Sequence, residues 1–157
     1  GAPSALGGGG EDECRTGIAL EMRGRGFFGR VLLGFIRGRG TRASHAAPSG
    51  PEADIIIAAE QSLAPYGIDA VVVPTPGHSR GSLSVFTGAG DAIVGDILGG
   101  GGRSNRRPKR GILVYDLTAM DESIRAIIAR RPRLTHTGHD IAPFALEQLR
   151  EAFPELV

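Results

Sequence analysis

Apolar side chains recur with two periods along this chain, and each period predicts its own kind of element. Ile55, Ile56 and Ile57 form a β-branched run after Asp54, which predicts a strand over 54–58. Residues 68–73 predict a second strand, with Val71, Val72 and Val73 pointing to burial on both faces. Pro65-Tyr66-Gly67 between them predicts a turn. Ser82-Leu83-Ser84-Val85-Phe86 alternates polar with apolar, as a half-buried strand does. Thr87-Gly88-Ala89-Gly90 turns the chain back, and 91–96 is predicted to return as the second arm of a hairpin. The period then changes. Ile124, Ile127 and Ile128 fall on one face of a helix that Asp116 or Thr118 can cap and that runs to about Arg130. Arg125, Arg130 and Arg131 lie toward its C-terminal end, where the helix dipole favours positive charge, and Pro132 stops it. A short strand over 133–137 and an amphipathic helix over 142–153, with Ala145, Leu149 and Phe153 in step, complete the pattern.

The first fifty residues are patterned less clearly. Residues 1–15 read as a flexible lead-in, followed by a single domain over 16–157. Residues 16–22 fit a short helix or a strand equally. Residues 27–36 are apolar and flanked by Arg23, Arg25, Arg37, Arg39 and Arg42, with Phe28, Leu32 and Phe35 at near-helical spacing. Ten residues are too few to cross a bilayer. Three readings stand: a helix packed on the domain, a helix over an active-site mouth, or a basic surface helix touching a membrane. Residues 40–52 form a loop in which His45 is expected to be solvated. Residues 98–110 carry four consecutive glycines, then Arg103, Arg106, Arg107, Lys109 and Arg110. No Gly-Lys-Ser or Gly-Lys-Thr follows the glycines, so this is no phosphate loop. A mobile surface loop and a substrate-anion contact remain open there.

Composition narrows the class. At 157 residues the chain fits one domain, and 41% hydrophobic with 22% charged residues is ordinary for a soluble globular protein. A net charge of +1 gives no reason to expect nucleic acid. Lys109 is the only lysine among 18 basic residues, and the other 17 are arginines. Cys14 is the only cysteine, which excludes an internal disulfide and fits a reducing, cytoplasmic setting. No secretory signal pattern and no membrane-spanning run is present. The chain begins at Gly1 without an initiator methionine, so it is expected to be trimmed or part of a longer reading frame.

Three segments place a metal-competent side chain beside glycine at the end of a predicted strand. They are Thr75-Pro76-Gly77-His78-Ser79-Arg80-Gly81-Ser82, then Val94-Gly95-Asp96-Ile97, then Thr137-Gly138-His139-Asp140. Imidazole nitrogen and carboxylate oxygen are ligands that zinc accepts, and glycine beside a ligand permits sharp turns and close approach. Taken alone, each has a simpler reading: a hydrogen-bonding surface histidine, or an aspartate capping a turn. His136 lies three residues before His139 and could add a ligand, although strand alternation would aim it to the opposite face.

Taken in order, these segments resemble the C-terminal half of the metallo-β-lactamase superfamily: its Thr-Pro-Gly-His segment, its hydrophobic Gly-Asp segment and its last Gly-His turn. The resemblance is strong over about 54–153 and weak over 23–50. It implies an α/β (α+β) fold, a partial αββα sandwich with mostly one sheet and flanking helices. It implies a two-zinc hydrolase that acts through a metal-bound hydroxide on a small ester, thioester, lactone, amide or phosphoester. In that arrangement His78 binds the first metal, His139 the second, and Asp96 bridges both as the catalytic carboxylate. The family's upstream His-x-His-x-Asp-His cluster is absent from these 157 residues, which leaves two ligands per ion and at most weak zinc binding here. Half a sandwich would also leave an apolar sheet face uncovered, to be met by a second copy or by a missing N-terminal segment. The expected partner is a small-molecule substrate. A non-catalytic binding or assembly module built on the same fold, and an unrelated α/β domain with accidental His-Gly turns, are the alternatives.

Overall fold

Strand-forming sequence is densest between residues 55 and 93, and there the chain builds most of a mixed sheet. The computed structural model describes residues 5–7, 23–25, 30–31, 55–100 and 107–157. In chain order the strands are β1 (Ala5–Gly7), β2 (Arg23–Gly24), β3 (Ile55–Ile57), β4 (Gln61–Ser62), β5 (Ala70–Pro74), β6 (Leu83–Thr87) and β7 (Ala92–Ile93). They continue as β8 (Leu98–Gly100), β9 (Pro108–Arg110), β10 (Leu113–Val114), β11 (Leu134–His136) and β12 (Phe144–Ala145). Helix α1 spans Leu117–Ala129 and α2 spans Leu146–Ala152, with 3₁₀ turns at Ala64–Tyr66, Gly95–Ile97 and Pro154–Leu156.

The main sheet runs β12-β11-β7-β6-β5-β4. Only the β11–β7 pair is parallel. Strand register places Val71, Phe86, Ala92, Thr135 and Phe144 in one row across one face. Helices α1 and α2 cover that face. Met120, Ser123, Ile124, Ile127 and Ile128 are the buried residues of α1, at the spacing of a single helix stripe. They meet Ala92, Val94, Phe144, Leu149 and Phe153 in one core cluster. The neighbouring row on the opposite face is Val72, Val85, Ile93 and His136. Val72 is buried at the β5 end, where β3 lies against the sheet, whereas Ile93 is 50% exposed. The architecture of the described residues is therefore α+β, one main sheet with helices on one face and three small strand pairs beside it, β1–β3, β2–β10 and β8–β9.

The helix signals operate as the residues dictate. Asp116 caps α1, its Oδ1 accepting from the Ala119 N–H at 3.0 Å. Thr118 falls inside the helix. Three other expectations are corrected. The return strand expected over 91–96 stops at Ile93, because Gly95 takes φ +57° and turns the chain into the 3₁₀ segment that carries Asp96. The helix expected over 142–153 begins only at Leu146. Pro143 favours extended backbone at its predecessor, Phe144 pairs with Thr135, and the Gln148 side chain accepts from the Ala145 N–H at 2.9 Å to start the helix. The glycine-rich segment expected as a loop over 98–110 has paired ends: Leu98, Gly99 and Gly100 oppose Arg110, Lys109 and Pro108. Ala5–Gly7, inside the stretch read as lead-in, pairs in parallel with β3. Cys14, residues 16–22 and the loop carrying His45 lie outside the described residues. Of 27–36 only Arg30 and Val31 are described; both are helical and exposed. Among the described residues no helix is long and apolar enough to cross a membrane.

Arg110 fastens β9 to the helical layer. Its guanidinium donates to Asp121 Oδ1 at 2.5 Å and Glu155 Oε1 at 2.8 Å, and it lies 5.2 Å from the centre of the Phe153 ring. The bond from Arg110 holds the Glu155 carboxyl below its ordinary value of 4.5. A depressed carboxyl contributes stability above its unfolded pKa and loses it as pH falls through the folded value. Glu155→Gln is accordingly expected to lower the urea midpoint slightly at neutral pH, with the gap from wild type closing below pH 4.5. A gap that persists in acid would count against this role for Glu155.

Candidate functional site

The three candidate residues sit on three turns at one edge of the main sheet. His78 follows β5 on a turn clamped by α1. Gly77 takes φ +140°, and its carbonyl accepts from the Tyr115 N–H at 2.8 Å and the Asp116 N–H at 3.1 Å. Ser123 Oγ donates to the Pro76 carbonyl at 2.8 Å. The turn is thus bound to both the approach to α1 and its second turn. Arg80, next on the turn, lies 4.7 Å from the Tyr115 ring centre. Asp96 is carried by the 3₁₀ turn after β7, which Ile97 anchors by complete burial in the core. His139 follows β11 on a turn tied to the Asp96 segment by the Gly138 N–H, which donates to the Gly95 carbonyl at 3.0 Å.

These turns bring the three side chains together around one carboxylate oxygen. Asp96 Oδ2 lies 3.2 Å from His139 Nε2 and 3.7 Å from His78 Nε2. The site grades from inside to outside: the His78 side chain is 24% exposed, Asp96 35% and His139 85%. His78 is oriented from behind. Its Nδ1 lies 2.8 Å from the Leu113 carbonyl oxygen, which can only accept. A ring proton therefore sits on Nδ1, which leaves Nε2 as the nitrogen facing Asp96. Two glycines make room for Asp96, one for its carboxylate and one for its backbone carbonyl. A Cβ at Gly138 would lie 2.2 Å from Asp96 Oδ1, and one at Gly111 would lie 2.2 Å from the Asp96 carbonyl oxygen.

His136 is not at this site. It stands on the far sheet face, with Nε2 3.9 Å from Asp91 Oδ2, a carboxylate that also accepts from Arg133 at 2.8 Å. Strand alternation separates it from the turn that carries His139.

Donor chemistry fits part of a zinc set. Two imidazole nitrogens and one carboxylate are ligands zinc takes, one imidazole is already oriented by a backbone carbonyl, and a carboxylate between two imidazoles suits a bridging role. The arrangement is nevertheless two imidazole–carboxylate pairs sharing Asp96. Among the described residues no group of three His, Cys, Asp or Glu side chains is placed to hold one ion.

The three residues line a cleft of about 450 Å³ whose other wall is the β8–β9 hairpin and the strand after it. Leu98, Ile112 and Leu113 supply apolar surface, and Lys109 and Arg110 supply charge. Arg110 is already committed to Asp121 and Glu155. Lys109 is exposed. Sequence reasoning reached Lys109 and Arg110 only as one of two readings of a loop. It missed the Leu113 carbonyl, Gly111 and the carboxylate of Asp140. A backbone carbonyl carries no side-chain signature, and the glycines' roles appear only once Asp96 is placed against them.

One sheet, a helical layer on one face, and histidines and an aspartate on edge turns define the class: this is the metallo-β-lactamase fold. Three solved structures of that superfamily match the chain. A metallo-β-lactamase family protein from Thermus thermophilus superposes with a TM-score of 0.57 at 18% identity, covering 99% of this chain and 52% of its own. The B3 metallo-β-lactamase BLEG-1 gives 0.53 at 26% identity, covering 76% of this chain and 56% of its own. An archaeal metallo-β-lactamase superfamily protein from Sulfolobus tokodaii gives 0.51 at 16% identity, covering 96% and 56%. The chain thus spans just over half the length of each. No protein-family model and no curated protein matches it.

Proposed function

We propose that the chain carries part of the metal site of a zinc-dependent hydrolase that acts on a small ester, thioester, lactone, amide or phosphoester. The observation that carries this reading is the shared carboxylate, with Asp96 Oδ2 within 3.7 Å of both His78 Nε2 and His139 Nε2. His78 would hold one ion, His139 the other, and Asp96 both. When bound, zinc lowers the pKa of water toward neutrality and polarises a substrate oxygen. This chain's residues orient and enclose. The Leu113 carbonyl fixes the His78 ring, and Leu98, Ile112 and Leu113 offer an apolar wall. The cleft volume of about 450 Å³ falls in the range of small-molecule sites. Each ion has two donors from the described residues and needs at least one more. The further ligands would come from upstream sequence or from a second copy of the chain. A cytoplasmic setting rests on the single cysteine, Cys14.

A second reading, a non-catalytic binding or assembly module, is favoured by one observation: among the described residues no three donors are grouped to hold an ion. Zinc stoichiometry separates the two. Dialysis and elemental analysis of the 157-residue chain are expected to find bound zinc that His78→Ala removes. No bound zinc would mean either that the site needs ligands from outside these residues or that the chain is the module, and zinc indifferent to His78 would favour the module.

A further inference from the structure

His139 is the least enclosed member of the site, and its own packing does not hold it. Its side chain is 85% exposed, and among the described residues its one polar side-chain contact is to Asp96 Oδ2. The backbone of its turn must therefore fix the ring, and the next residue does that work. Asp140 Oδ2 accepts from Thr137 Oγ1 at 2.7 Å, and the same Thr137 oxygen accepts from the Asp140 N–H at 3.3 Å, closing the turn on itself. Oδ2 also accepts from the Gly100 N–H at 2.6 Å, forty residues away in sequence, at the end of β8. Two donors on one carboxylate oxygen, one from each segment, make a charge-assisted join between them.

Gly100 is matched to this join. A Cβ there would lie 2.6 Å from Asp140 Oδ1 and 2.9 Å from Cζ of the Phe144 ring. Only glycine lets the amide come this close to the carboxylate. The β8–β9 hairpin, in which Gly100 is the last residue of β8, is the cleft wall opposite the three site residues.

We infer that Asp140 is a positioning residue: its carboxylate locks the turn carrying His139 to the β8–β9 hairpin, so that the ring and the cleft wall are held in one arrangement. Its consequence for metal binding rests on the reading of His139 as a ligand, but the positioning itself does not. The test uses the whole chain and the ring Cε1–Hε1 resonances of its four histidines, assigned by single His→Gln variants at fixed pH without metal. Asp140→Ala and Gly100→Ala are expected to shift or broaden the His139 signal and leave the His136 signal in place. Asp140→Asn is expected to stay near wild type, because its amide oxygen can still accept from Gly100. An unmoved His139 signal in Asp140→Ala overturns the inference. So does a common displacement of all four histidines, which would make Asp140 a general fold residue. Zinc titration follows: Asp140→Ala is expected to lower affinity about 10–100-fold, the range for removing an outer-shell support, with Asp140→Asn restoring most of it. Wild type that binds no zinc would show that the site is not completed by this chain, while the histidine spectrum still decides the positioning role.

Discussion

Gly77→Ala is expected to destabilise the domain by roughly 3–5 kcal/mol, the sum of positive-φ strain and forced overpacking. Gly77 takes φ +140°, a region that residues with a Cβ avoid. An added Cβ would lie 2.4 Å from Met120 Cα and 2.6 Å from Met120 N. These are backbone atoms of α1, so no side-chain rotation relieves the clash. Either the helix moves off the sheet, exposing a face in which Met120, Ile124 and Ile127 are fully buried, or the His78 turn moves off the helix. The second route also breaks the bonds from Tyr115 and Asp116 to the Gly77 carbonyl. Gly67→Ala is the control. It too has positive φ, +76°, but nothing lies within 4 Å of its added Cβ. Its cost should be the backbone term alone, about 1 kcal/mol. Urea unfolding of both variants checks the pair. Equal losses would mean that α1 does not seat on Gly77 as tightly as described.

The clamp shows what kind of information the sequence holds. Elements whose pattern is local were legible. Alternation over 82–86 marks β6, and Ile124, Ile127 and Ile128 mark the buried stripe of α1. Asp116 marks the start of α1 through a bond three residues long. Elements that exist only through distant partners were not. β8 and β9 are three residues each, one of them mostly glycine, and pair across a ten-residue offset with no side-chain pattern to announce it. β12 is two residues, held by Thr135. The site divides in the same way. His78, Asp96 and His139 were legible as side chains beside glycine, and their order gave the fold. What orients them lies in bonds from His78 to the Leu113 carbonyl and from Gly100 to Asp140, which span 35 and 40 residues. Two of those four partners contribute only backbone atoms, and no residue-type preference records that.

If the shared carboxylate is the centre of the metal site, Asp96→Ala should lower zinc affinity by more than about a hundredfold, beyond the upper end for outer-shell losses. Among the described residues Asp96 is the carboxylate close to both histidines, so its removal breaks both pairs at once. His45→Ala should leave affinity unchanged, and equal effects from the two substitutions would sink the assignment. Gly138→Ala gives an independent approach without deleting any ligand. Its φ is not in the left-handed range, and the atom its Cβ would meet first is Asp96 Oδ1, at 2.2 Å. A terminal carboxylate oxygen can swing away at little cost in stability, so the melting temperature should hardly move. The swing carries the oxygens away from His78 and His139, and affinity should fall by about tenfold, as for a displaced rather than deleted group. Gly111→Ala makes the opposite comparison. Its Cβ meets the Asp96 carbonyl oxygen at 2.2 Å, a backbone atom in the turn that Ile97 anchors in the core. That variant should lose stability as well as zinc. Calorimetric zinc titration beside thermal melts separates the three cases. A Gly138→Ala protein with wild-type affinity would mean that the position of the Asp96 carboxylate is irrelevant to metal, because the substitution disturbs little else.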